Sequence, residues 1–198
     1  MKYKREIERK ATSALYGRSE EERAAQGVGG ASLREDAEVA SERVRQLSSS
    51  TEARRVVFQS VAVTGLQLLH SILQRDRQAL AAAISLGQRE KLENMIGALE
   101  TLSETLKQSL SQQGAQMLDL CAAADEKNGA ATLETDEDSW WFALTEALES
   151  IEGGIEQMDS LADGQPEESA PHRLSDLMAE VLRRQHKELL REAQQWIA

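Results

Sequence analysis

The chain has 198 residues, 40% apolar, 29% charged and only 4% aromatic, with 23 basic against 34 acidic side chains and a formal net charge of −11. That is enough chain for one domain with a sizeable core, too apolar for wholesale disorder, and too acidic for direct nucleic-acid binding by its main body. Two prolines, Pro166 and Pro171, and one cysteine, Cys121, exclude a collagen-like chain and any intramolecular disulfide.

Residues 1–25 read as a charged, helix-prone arm. Lys2, Lys4, Arg5, Arg9 and Lys10 against Glu6 and Glu8 give the first ten residues a charge of +3. Glu20, Glu21 and Glu22 follow at once, so the arm reads as a partner-binding or self-docking helix and not as a nucleic-acid arm. Gln26-Gly27-Val28-Gly29-Gly30-Ala31-Ser32 reads as a flexible joint, because glycine is costly inside a helix. Ser32 is placed to cap a helix over 33–47, with Glu35 and Asp36 in its first turn. Ser48-Ser49-Ser50-Thr51 breaks that helix, and Ser50 or Thr51 caps a long one reaching about residue 86.

The long helix carries Val57, Val61, Leu68, Ile72, Ala79 and Ala83 on one face, widened by Phe58, Ala62, Leu66, Leu69 and Leu73. An apolar arc this wide marks a helix covered on several sides, hence a central one. Gln59, Gln67, His70, Gln74, Arg75, Asp76 and Arg77 interrupt it, so no membrane span is expected. Gly87 is expected to end or bend it. The next helix steps through Leu92, Met95, Leu99, Leu102 and Leu106, a heptad seam that fades at Ser109 and Gln113. Gly114 ends or bends this helix, and a short helix over 115–124 holds Cys121, expected to be a small partly buried hydrophobe.

After the acidic connection 125–139, Asp138 or Ser139 caps a helix with the cleanest seam in the chain: Trp141, Leu144, Leu148, Ile151, Ile155, Met158 and Ala162. Gly153-Gly154 lies off that seam and predicts either a bend or a close neighbour. A loop over 162–172, containing Gly164 and both prolines, leads to a last helix over 173–196 with Leu174, Leu177, Met178, Val181, Leu182, Leu189 and Ala193 facing in. No sustained period-two alternation and no solenoid repeat occur. The expected fold is all-α: an antiparallel four- to five-helix bundle with coiled-coil-like seams, with a charged arm and joint over 1–32 and the bundle over 33–198. The seams pair within one chain or across a homodimer.

The charge is unevenly laid out. Residues 128–172 contain twelve acids and no Lys or Arg, residues 173–198 sum to +1, and the remainder balances to zero. Arg183, Arg184, Lys187 and Arg191 on the last helix are expected to answer part of the excess. The rest reads either as a solvated face or as a docking surface for a basic protein partner. Trp140-Trp141-Phe142 favours docking. Successive helical residues point about 100° apart, so with Trp141 on the seam, Trp140 or Phe142 lies at its edge or outside. Aromatics rimmed by acids have the composition of an interface hot spot; the other reading is that the three plug the end of the bundle. The candidate partner-binding residues are Trp140, Phe142, Glu149, Glu152, Glu156 and Asp159.

Catalytic motifs are missing from the sequence. The residues three before His70, His172 and His186 are Gln67, Ser169 and Arg183, so the Glu-x-x-His pair of a di-iron bundle does not occur. Three isolated histidines and one cysteine do not make a usual zinc site, and there is no phosphate loop, dinucleotide fingerprint or Gly-x-Ser-x-Gly elbow. His70 reads as a core residue and His186 as exposed. The expectation is a non-enzymatic protein without a cofactor, acting through protein–protein contact as an adaptor, regulator or chaperone-like partner. Three alternatives are a protein exported by a specialised bacterial machine with residues 1–32 as leader, an acidic mimic that occupies a nucleic-acid-binding protein, and a small-molecule sensor with a pocket between helices. No Sec-type signal is visible, so the expected location is the cytoplasm, with export by a non-Sec route left open.

Overall fold

The computed structural model describes the backbone of residues 2–16, 33–49, 56–112 and 137–197, and in the first of these segments the side chains of residues 3–10. These segments form six helices: α1 (Lys2–Tyr16), α2 (Leu33–Ser48), α3 (Val56–Ala82), α4 (Leu86–Gln112), α5 (Glu137–Asp163) and α6 (Ala170–Ile197). No strand occurs among the described residues. The helix expected over 115–124, and Cys121 with it, lie outside the described residues.

The connections set the topology. Ser85 and Gln88 form a reciprocal cap: the Gln88 side-chain oxygen accepts from the amides of Ile84 and Ser85, each at 2.9 Å, and the Gln88 amide donates to the Ser85 hydroxyl at 3.2 Å. This cap ends α3 at Ala82 and starts α4 at Leu86. Gly87 therefore sits inside the first turn of α4 instead of breaking a helix. At the other hairpin the Ser169 hydroxyl accepts from the His172 amide at 3.3 Å. That cap moves the start of α6 back to Ala170 and puts Pro171, expected in the loop, in the first turn, where its missing N–H costs nothing.

α3 packs against α4, α5 and α6; α6 also packs against α1, α2 and α5; and α2 closes the gap between α4 and α6. α3 and α6 run one way and the other four run the opposite way. The pairings that fix this are Arg77–Glu100 between α3 and α4, Arg75–Glu146 between α3 and α5, Trp140–Trp196 and Arg183–Asp159 between α5 and α6, and Arg184–Asp36 between α6 and α2. The fold is an antiparallel all-α bundle in which the α4 and α5 seams do not pack on each other: α4 is buried against α2 and α3, and α5 against α3 and α6. By composition α3 is long and apolar enough to cross a membrane, with a mean hydropathy of 1.6 over its best window. In the bundle the apolar positions Phe58, Leu66, Leu69, Ile72 and Leu73 face other helices. Val57, expected inside, is exposed near the start of α3.

Gly154 accounts for one of the two adjacent glycines. A Cβ placed there would come within 3.0 Å of Ile72 Cδ1 and 3.2 Å of Leu182 Cδ1. Its bare backbone lets α5 lie close against both α3 and α6. Gly153 faces open space.

One acid is fully buried in this core. Asp76 of α3 has no solvent exposure, and its Oδ2 accepts from the Gln185 side-chain amide of α6 at 3.0 Å. Among the described residues its Oδ1 has no hydrogen-bond partner. Burial pushes the Asp76 carboxyl up to about 7, and the Gln185 hydrogen bond offsets only part of the effect.

Candidate protein-binding surface

α5 is the helix on which the charge excess and the aromatics meet. Glu137 and Asp138 occupy its first turn, where carboxylates complement the positive end of the helix dipole. Its inner seam, Leu144, Leu148, Ile151 and Met158, is completely buried. Roughly a third of the helix circumference stays outside. Phe142, Glu146, Glu149, Gly153, Glu156, Ser160 and Asp163 recur at steps of four and three, so they line one outward stripe about 30 Å long. The stripe holds four acids and no base. Arg75 of α3 pairs with Glu146 at 3.4 Å. Among the described residues no cation pairs with Glu149, Glu156 or Asp163.

The structure divides the six candidate residues. Glu149 and Glu156 are exposed side by side on the stripe, one heptad apart, with Phe142 one heptad before them. Phe142 is 41% exposed and is the outward aromatic of the triplet. Trp140 is not on the surface: it is 1% exposed, its ring meets Trp196 of α6 edge-on at a centroid distance of 5.3 Å, and its indole N–H is buried without a partner among the described residues. One helical step turns Trp140 into the α5–α6 interface and one step the other way turns Phe142 out. Glu152 and Asp159 lie between the stripe and α6. Asp159 is held by Arg183 of α6, the internal compensation expected from the last helix.

Glu152 is the centre of a three-helix cluster. Its Oε1 meets His186 Nε2 of α6 at 3.0 Å and its Oε2 accepts from Lys10 Nζ of α1 at 2.8 Å. His186, expected to be exposed, has a side chain only 19% exposed, because α1 and α5 converge over it. Burial lowers its imidazole below the ordinary 6.5; Glu152 pulls the other way, and the Lys10 ammonium adds to the depression.

The basic arm is therefore seated on the acidic helix. α1 runs parallel to α5 and packs on α5 and α6. Tyr3 meets the Phe142 ring edge-on at 5.1 Å. Lys4 lies 3.6 Å from Glu137 and 5.6 Å from the Trp141 ring centroid, over a ring whose own indole N–H donates to Glu137 at 3.2 Å. Ile7 is fully buried and joins the common core. The strength of this seat can be bounded. Burying one isoleucine is worth about 1.5–3 kcal/mol, partly exposed ion pairs about 0–1 kcal/mol each, and an exposed cation–π contact about 0.5–1 kcal/mol. Against these stands the cost of forming a short helix, marginal by itself in water. Among its described side chains α1 buries one apolar group fully, whereas each of α3 to α6 buries eight or more.

Elsewhere, a cavity of about 570 Å³ opens between the C-terminal end of α2 and the N-terminal end of α6. Arg43, Arg173, Asp176 and Glu180 mix both signs of charge along its wall, and none of its lining residues is a histidine or cysteine. The His172 ring is held between the Ala162 carbonyl at 2.9 Å and Asp176 at 3.0 Å. Among the described residues no group of three or more His, Cys, Asp and Glu side chains is placed to hold a metal ion. Comparison of the chain with protein-family models, curated proteins and solved structures returned no match.

Proposed function

We propose that this protein is non-catalytic and works by binding another protein, as an adaptor or chaperone-like partner, with the outward face of α5 as its docking surface and a basic helix as its ligand. The observation that carries the proposal is the seat of α1. A helix bearing Lys4 and Lys10 already lies along one edge of α5, meeting Glu137, Glu152 and Phe142. The stripe beside it offers the same chemistry: Glu149 and Glu156 exposed, Phe142 half covered, and open space over Gly153. Small residues flanked by acids at heptad spacing suit a second helix crossing at a shallow angle, and charge complementarity would give such an encounter speed and orientation.

The test is affinity capture from the native source with wild type and with a Glu149→Lys/Glu156→Lys variant. A partner retained by wild type and lost from the variant, with helical content unchanged, supports the proposal. A partner held equally by both removes the stripe as the docking surface.

A further inference from the structure

We propose that α1 is a displaceable occupant of the groove between α5 and α6, and that this groove receives a partner's basic helix carrying an aromatic, a lysine, an aliphatic and a lysine at positions i, i+1, i+4 and i+7. The inference rests on α5 being a docking surface. It adds a second, covered edge of that helix, the sequence pattern recognised there, and a closed resting state.

The pattern is that of α1 itself. Among the described side chains of α1, Tyr3, Lys4, Ile7 and Lys10 meet the bundle, and each has a distinct receptor. Phe142 presents a ring edge-on to Tyr3. Glu137 and the face of Trp141 together receive Lys4, which calls for a cation on a long stem. Ile7 fills an apolar site with no remaining exposure. Glu152, fixed from behind by His186, receives Lys10. The opposite side of α1, with Arg5, Glu8 and Arg9, stays exposed.

Three observations make the occupant exchangeable. Ile7 is the one fully buried apolar side chain among residues 3–10. The walls of the groove hold each other without α1, through Trp140 on Trp196, Asp159 with Arg183, and the buried α5 seam. Sixteen residues, four of them glycine, separate α1 from α2, a length that lets α1 leave while α2 keeps its place. Because α1 belongs to the same chain, it competes with any partner helix intramolecularly. A partner helix must then bind better than α1 does, or act when α1 has been loosened.

The experiment uses the full chain and a labelled synthetic peptide of residues 1–16 as probe. Lys4→Glu/Lys10→Glu removes both cationic anchors. In this variant the amides of α1 should exchange with deuterium at least ten-fold faster than in wild type while those of α3 to α6 are unchanged. The peptide should bind the variant at least ten-fold more tightly than it binds wild type, where the groove is filled. Ile7→Ala, which removes the apolar anchor and no charge, should give the same two results. Protection of α1 that survives both variants overturns the proposal, because α1 is then a fixed part of the fold. So does release of α1 without tighter peptide binding, and so does loss of protection throughout the bundle in both. None of these outcomes touches the outer stripe, whose own test is the capture experiment with Glu149→Lys/Glu156→Lys. Failure there, with peptide binding gained here, would move the partner from the stripe to the groove.

Discussion

The inner and outer faces of α5 share one backbone and little else. Inward, Leu144, Leu148, Ile151 and Met158 have no exposure and Gly154 lies against two neighbouring helices. Outward, Glu149, Gly153 and Glu156 touch no other described helix through an ion pair or a close contact. The first face answers to the hydrophobic effect, where every methylene removed is felt. The second face carries acids that the fold does not need for its own packing, and like charges at heptad spacing repel one another mildly. The difference teaches where to look for a binding function in this bundle. It is on the side that folding leaves unconstrained.

Substitutions can sharpen this contrast. The largest effect is expected at Trp140. Trp140→Ala should cost about 3–5 kcal/mol in urea unfolding, while Phe142→Ala, two positions along and facing out, should cost about 1 kcal/mol or less. Equal costs would mean that the two faces are not distinct. Asp76 comes next. Its carboxyl titrates near 7 in the fold against about 3.8 when unfolded, so between these values the folded state holds a proton that the unfolded state has released. Stability from this group is therefore full below about pH 4 and declines as pH rises to 7. Asp76→Asn abolishes that decline. Its advantage over wild type should be near zero at pH 4 and reach on the order of 4 kcal/mol above pH 7, read from urea midpoints across the range.

His186 has the opposite sign. Its folded value lies below 6.5, so the unfolded state binds the proton first as pH falls. The contribution is complete above about 6.5 and is lost as pH falls through the folded value. His186→Gln should flatten this limb of the stability profile, and it should do so less in a Lys10→Gln background, where one cause of the depression is already gone. The smallest structural effect separates the paired glycines. Gly153→Ala should stabilise by about 1 kcal/mol through helix propensity alone. Gly154→Val should destabilise, because Ile72 and Leu182 must move.

Much of this was legible in the sequence, and what was missed shares a cause. The seams at Leu92–Leu106 and Trp141–Ala162 announce themselves because burial repeats every three or four residues along one helix. Asp76 and Glu192 do not, since a charged residue reads as exposed until a second helix is in place. Asp76 needs Gln185, 109 positions away, and Glu192 needs Lys91 of α4 at 3.3 Å. His186 fails in the same way, its cover coming from α1 and α5. The arm was legible as a helix that docks on a partner or on its own chain, and its charge suited an acidic surface. The register that sets Lys10 against Glu152 is a tertiary fact with no local signature. At Trp140-Trp141-Phe142 the 100° step showed that one aromatic must face out, and only the position of α6 decides that it is Phe142.

The central claim is that the acidic stripe serves binding and not folding, and one comparison tests it most directly: the unfolding free energy and the partner retention of Glu149→Lys/Glu156→Lys measured on the same preparation. The expected result is stability within about 0.5 kcal/mol of wild type with the partner lost. A variant that is destabilised by more than about 2 kcal/mol and still holds the partner would contradict it.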